Sequence, residues 1–287
     1  MAKILDCKLV AEAIITDCKA EAANLKEKGI SPKLAILRVG ENGPDLSYEK
    51  GIFAITNTIG IDVEIHAMPA NISQEDYILE LEKLNSDPSI HGILPFRPLE
   101  NIDEVEAISN HLSSMKDCDG STAENMGKVV LNDPTALAPC SAAAILEIIR
   151  FYSNEIKAIS ESLNVCIVNN SNVIGKPLAM MLANRFASVT CINRSTPDDI
   201  KIDLMKRANI LVCATTSRNS ITADMIGENA IIIDAAIIRE DKIYGCCSAD
   251  VFEKAAYMTP VPGIGRITSA LLMKNLIKAC KIQNNII

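Results

Sequence analysis

The sequence predicts an α/β protein of two lobes built on parallel strands, and three observations carry that expectation. Short apolar runs alternate with amphipathic helical ones along the chain, the pattern of parallel α/β architecture. At 287 residues there is enough chain for one large or two medium domains with full apolar cores. Near the middle, PCSAAAILEIIRFYSNE (139–155) reads as a long, mostly apolar helix suited to linking two such domains.

The elements follow in order. Residues 6–28 form an amphipathic helix closed by Gly29, with a strand at KLAILRVG (33–40). A helix starts at Pro44 and turns at Gly60, and a strand follows at DVEIHAM (62–68). SQEDYILELEKLNSD (73–87) opens on a capping serine and spaces its leucines and isoleucine helically, so it is a surface helix. GILPF (92–96) is a strand that runs into the proline-rich loop RPLENID. After the linking helix, NVCIVNNSNVIGKPLAMML (164–182) reads as strand, loop and helix. Strands recur at ASVTCIN (187–193), ANILVCAT (208–215) and NAIIIDAAI (229–237). The loop TPVPGIGRIT (259–268) leads into a closing helix through Lys281 that returns to the first lobe.

Composition excludes several functions. Net charge is −8, tryptophan is absent, and no basic tract or aromatic-basic interleaving is present, which argues against nucleic-acid binding. No uncharged apolar run reaches membrane-spanning length; AIIIDAAII (230–238) is short and holds Asp234. The N-terminus carries Asp6 and Glu12 within its apolar stretch, unlike a signal peptide, so a cytoplasmic protein is expected. Ten cysteines lack C-x-x-C spacing, and Cys166, Cys191 and Cys213 read as small buried hydrophobes. Three histidines (His66, His91, His111) never take metal-ligand spacing, so no metal is expected.

A nucleotide signal is present in partial form. The loop NNSNVIGKP joins a strand to a helix whose N-terminus can receive a phosphate. It has one glycine, Gly175, in place of G-x-G-x-x-G, and an unliganded turn is an equal reading. The next strand ends in Asn193-Arg194-Ser195-Thr196. An acidic residue there would take the ribose hydroxyl of NAD, whereas arginine can pair with the 2′-phosphate of NADP. A solvated turn is the competing reading of Arg194.

Taken together and in order, several segments resemble one family. They are Val39-Gly40 followed by Tyr48, HGIL (91–94), KDCDG (116–120), PC (139–140), SNVIGKP (171–177), ASVT (187–190) and TPVPG (259–263). Over nearly its whole length the chain resembles the bifunctional methylenetetrahydrofolate dehydrogenase/methenyltetrahydrofolate cyclohydrolase (FolD) family. The resemblance implies an N-terminal α/β folate lobe over 1–138, completed by 266–287, and a Rossmann-like parallel-sheet NAD(P) lobe over 139–265. It also implies a site in the cleft between lobes, a tetrahydrofolate derivative as substrate, NADP (or NAD) as cofactor, and a homodimer.

By resemblance Tyr48 stacks on the folate's aminobenzoyl ring and Asp119 grips the pterin, and these two are the catalytic candidates. Pro260, Pro262 and Gly263 would line the folate and nicotinamide. Asn169, Asn170, Ser171, Gly175, Arg194 and Ile237 fall on cofactor-binding positions. The departures are as informative. The family's lysine, four residues after the tyrosine, is Ile52; its glutamine is Phe96 in PFRPL (95–99); its serine three before the tyrosine is Asp45. Asn169 and Asn170 replace a glycine and an arginine, Thr216 another glycine, and DAAII (234–238) replaces D-V-G-I-N. The last loop is one residue short, PGIGR (262–266).

In SYEKGIFAITNTIGI (47–61) the lysine of Tyr-x-Lys-Gly is a decoy. Residues two apart on a helix are about 200° around the axis, while residues four apart share a face. Ile52, not Lys50, faces where Tyr48 faces. The family's two reactions weigh that change differently. Hydride departure leaves a cation delocalised over two folate nitrogens and asks the protein mainly for alignment. Hydration of that cation needs a proton carrier, typically worth about 10²–10⁴-fold in rate. The expectation is a dehydrogenase with cyclohydrolase lost or weak, with Asp45 or Arg97 as substitute polar groups. Two further readings stay open: an inactive paralogue that binds folate or another small ligand, and related chemistry on a different substrate.

Overall fold

In the computed structural model of the chain, residues 1–156 and 163–287 are described. They divide into two compact units, residues 1–11 with 141–268 and residues 12–140 with 269–287. The chain opens with β1 (Lys3–Ile4) and the long α1 (Cys7–Glu27). Then come β2 (Lys33–Val39), α2 (Gly43–Ile59), β3 (Asp62–Met68), α3 (Gln74–Ser86), β4 (Gly92–Pro95), α4 (Ala123–Val130) and α5 (Cys140–Phe151).

The unit of residues 12–140 and 269–287 is organised by β2, which runs parallel between β3 and β4. Leu34, Ala35, Ile36 and Leu37 are all fully buried, the continuous apolar run of a central parallel strand covered on both faces. Leu37 and Ile93 share a core with Tyr77, Leu81 and Leu84 of α3. That helix starts where the sequence expects, with the Ser73 hydroxyl accepting the Asp76 N–H at 3.0 Å. α2 begins on Asn42, which accepts the Asp45 N–H, and stops on Gly60, whose φ of 84° is left-handed.

The other unit contains β5 (Asn164–Val168), α6 (Gly175–Ala183), β6 (Ser188–Ile192), α7 (Asp198–Arg207), β7 (Ile210–Cys213) and β8 (Ile231–Asp234). A two-stranded ribbon of β9 (Ile238–Arg239) and β10 (Ile243–Tyr244) follows, then α8 (Ala249–Lys254) and β11 (Tyr257–Met258); α9 (Ile264–Gln283) closes the chain and belongs from residue 269 onward to the first-described unit. The six-stranded sheet of this second unit is parallel throughout, in the order β1-β11-β8-β7-β5-β6. From β5 the chain passes through α6 to β6 on one side, then through α7 to β7 on the other. The C-terminal ends of β5 and β7 therefore flank a switch point, where open parallel sheets take their ligands.

Two expectations need correction. The sequence reading gave the opening residues to the first lobe, but β1 pairs with β11 (Lys3 beside Tyr257, Ile4 beside Met258), and residues 1–11 belong with 141–268. Cys191 was expected in the core and is exposed, because β6 is an edge strand. Among the described residues no helix is long and apolar enough to cross a membrane.

Candidate active site

Tyr48 and Ile52 lie one turn apart on α2. The helix is tied to β2 by a buried ion pair, Arg38 Nε to Glu49 Oε2 at 2.9 Å, and Arg38 also donates to the Gly40 carbonyl. Ile52 is completely buried and Lys50 is exposed, so the two residues point apart as helical spacing requires. Phe96, just past β4, packs against Tyr48 with ring centroids 5.2 Å apart and planes tilted 41°. Burial pushes the Tyr48 phenol well above its ordinary value; Asp119 adds to the rise, and a hydrogen bond with Ser269 opposes it. The phenol therefore stays protonated and offers an aromatic face.

Asp119 arrives on the KDCDG loop, and the fold fixes that loop from several sides. Ile93 and Asp117 form a parallel bridge, with the Ile93 N–H donating to the Lys116 carbonyl at 2.7 Å. The buried Asp117 carboxylate accepts from Ser121 N, Thr122 N and Asn125 Nδ2 at 3.0, 2.8 and 3.1 Å. Asn275 Nδ2 donates to the carbonyls of Cys118 and Ala138, both at 2.9 Å. Gly120 sits at φ +69° against Leu137–Pro139 backbone, where a Cβ would collide.

This side-by-side run of residues 93–97 and 117–119 brings Arg97 Nη2 to Asp119 Oδ2 at 2.8 Å. Burial raises the Asp119 carboxyl above its usual range, and Arg97 pulls it partly back. Both of the expected substitute polar groups have partners. Arg97 stays charged and is engaged by Asp119. Asp45 Oδ2 accepts the Asn42 side-chain amide at 2.7 Å, closing a reciprocal cap at the start of α2. The Arg97–Asp119 pair was not readable from spacing, since 22 residues separate its members.

In the other unit the switch-point loop is braced by Asn169. Its Oδ1 accepts from Ser171 N (2.8 Å) and Gly175 N (3.1 Å), and its Nδ2 donates to the Ala214 carbonyl at 2.8 Å. The side chain that replaces a glycine thus clamps the loop after β5 to the end of β7. Ser171 Oγ accepts the Ile174 N–H at 3.1 Å, and Asn170 is exposed. Gly175 opens α6 so close to the Asn169 carbonyl that any Cβ would strike backbone, so the turn into the helix N-terminus depends on glycine.

Arg194 is exposed in the turn after β6, held by Asn193 Oδ1 accepting from Ser195 N at 2.8 Å. Beyond β8, Ile237 is 48% exposed. Asp234 accepts from the N–H groups of Ala236, Cys246 and Cys247 at 3.1, 3.3 and 3.0 Å, and burial pushes its carboxyl up to about 6. Thr259 Oγ1 accepts the Asp234 N–H at 2.9 Å, fixing the start of the loop with Pro260, Pro262 and Gly263. Pro260 and Gly263 are half-buried and Pro262 is exposed.

A parallel sheet with a glycine-dependent helix N-terminus at its switch point is the architecture of nucleotide-dependent enzymes, and that is the class the fold defines. Known proteins narrow it. The profile of the tetrahydrofolate dehydrogenase/cyclohydrolase catalytic domain matches residues 5–119, and that of the NAD(P)-binding domain matches residues 139–284. Bifunctional protein FolD of Alkaliphilus oremlandii is 39% identical over 290 residues, covering 100% of both chains. That of Alkaliphilus metalliredigens is 38% identical over 291 residues, again covering 100% of both. The crystal structure of bifunctional FolD from Campylobacter jejuni superposes with a TM-score of 0.91 at 30% identity, covering 98% of this chain and 99% of that one. FolD of Trypanosoma brucei, solved with NADP and an inhibitor, gives 0.88 at 27% identity over 98% of each chain. The chain belongs to the tetrahydrofolate dehydrogenase/cyclohydrolase family.

Proposed function

We propose that this chain oxidises 5,10-methylenetetrahydrofolate to the 5,10-methenyl form with NADP as hydride acceptor, and that its cyclohydrolase step is lost or strongly weakened. One observation carries the second half: one turn beyond Tyr48, on the same face of α2, stands the buried aliphatic Ile52. Phe96 packs against one side of Tyr48, and the cation at Arg97 is paired with Asp119. Water addition to the methenyl carbon requires a group that takes and returns a proton, and an isoleucine does neither.

The dehydrogenase half asks less of this wall. Tyr48 packs against the folate's aromatic part, and Asp119 accepts from the pterin while keeping Arg97 in place. In the unit of residues 141–268, Pro260, Pro262 and Gly263 line the nicotinamide. When bound, the nicotinamide supplies the hydride acceptor. The helix N-terminus at Gly175, at the end of β5, suits a phosphate-bearing cofactor, with Asn169 bracing the loop, Asn170 and Ser171 beside the phosphates, and Ile237 toward the nicotinamide end. Arg194, exposed after β6 with no acidic neighbour in Asn193–Thr196, supports NADP over NAD. We further propose a cytoplasmic homodimer.

The experiment mixes purified protein with methylenetetrahydrofolate and NADP or NAD and follows methenyl absorbance. Methenyl product accumulates with NADP and then decays no faster than in protein-free buffer. Hydrolysis of supplied methenyltetrahydrofolate at a rate comparable to oxidation would overturn the loss of cyclohydrolase. Absence of turnover with either cofactor would overturn the whole reading.

A further inference from the structure

Three cysteines meet where β7 and β8 end. Cys213 closes β7 and lies in register with Asp234, the last residue of β8; Cys246 and Cys247 come from the segment after β10. Their Sγ atoms all lie within 4.8 Å of one another, and all three are free thiols. Folding brings them together across 33 residues of chain, which is why the sequence shows no ligand spacing.

The segment that carries two of them is held firmly. Ile221 and Cys247 form a parallel bridge, with Ile221 N donating to the Cys246 carbonyl at 3.2 Å and Ser248 N to the Ile221 carbonyl at 2.8 Å. The Asp234 carboxylate, fixed by three backbone N–H groups, sits 3.4 Å from Cys246 Sγ. Cys213 and Cys246 are completely buried, whereas Cys247 is half-buried and gives the cluster a side open to solvent.

We propose that Cys213, Cys246 and Cys247 bind one thiophilic divalent cation of the zinc class. Zinc–thiolate bonds of about 2.3 Å arranged tetrahedrally place sulfurs roughly 3.8 Å apart, a spacing these side chains reach by small rotations. Soft thiolates select zinc or cadmium and reject magnesium and calcium, which require oxygen ligands. Each thiol releases its proton to solvent as its metal–sulfur bond forms, so no oxidant or reductant is involved. The competing account is three small side chains packed in an apolar cluster that also holds Ala236, Ile221 and Val251.

The test titrates the reduced, chelator-treated full chain with Cd²⁺ and with Zn²⁺. One equivalent of Cd²⁺ saturates a thiolate-to-metal ultraviolet band, and one equivalent of either metal shields Cys247 from alkylation, whereas Mg²⁺ does not. Outer-shell changes around a metal typically cost about 10- to 100-fold in affinity. Losing a ligand in Cys213→Ser or Cys247→Ser costs at least about 100-fold, while Cys191→Ser, on the edge strand, changes nothing. Cys247→Ser decides the matter should Cys213→Ser not fold. A band that fails to saturate at one equivalent, or that survives in Cys247→Ser, overturns the proposal.

Discussion

The wall around Tyr48 and the loop around Gly175 are held by different means. At the loop, Asn169 supplies three hydrogen bonds that hold the backbone at the switch point. At the wall, Ile52 is a buried aliphatic side chain, Phe96 packs against Tyr48, and Arg97 pairs with Asp119. A binding loop works through backbone shape, which a well-placed side chain can preserve. A proton-transfer site works through a particular titrating atom, and no packing substitutes for it.

The comparison can be broken from either side. Restoring both polar groups, Ile52→Lys with Phe96→Gln, gives the largest effect: methenyl hydrolysis rises about 10²–10⁴-fold, the span of general acid/base assistance. Methenyl decay measured on the double variant checks it; no gain would mean the wall was not the defect. Next comes Gly175→Ala, whose Cβ meets the Asn169 carbonyl. NADP affinity falls by on the order of tenfold or more, and stability drops by roughly 1–3 kcal/mol, as overpacking costs. Fluorescence titration and urea melts read the two effects separately.

Arg97→Met sharpens the wall's side through pH. Burial raises the Asp119 carboxyl and Arg97 lowers it. Removing the cation therefore raises it further, and folate binding that needs the carboxylate is lost at a higher pH than in the parent. Folate titrations across pH 4–8 show the displacement; an unmoved profile would dismiss the pair as an electrostatic partner. The smallest effect is Lys50→Ala, which leaves oxidation and hydrolysis unchanged and stability within about 0.5 kcal/mol, as for exposed sites away from any network. A clear loss of turnover would place that amine at the site after all.

Local patterns carried most of the fold. Ser73, Asn42 with Pro44, and Gly60 mark helix ends by short-range chemistry, and the buried runs of β2, β7 and β8 announce parallel strands. The geometry of Tyr48, Lys50 and Ile52 was equally legible, because helical periodicity alone sets it. What stayed hidden depends on elements meeting across the chain. Arg97 reaches Asp119 only because Ile93 bridges Asp117, and Asn169 reaches Ala214 only because β7 lies beside β5. The placement of β1 beside β11 belongs to the same kind, since two residues of extended chain carry no signal of their partner.

The pairing of β1 with β11 also governs the order of assembly during synthesis. The edge strand β1 must wait for a partner more than 250 residues later, and the other unit draws its closing helical segment, residues 269–287, from later still. Domains that emerge contiguously fold one after another on the ribosome. Here neither unit is contiguous, so the unit of β1 cannot close before residues 257–258 are made, nor the other before residues 269–287.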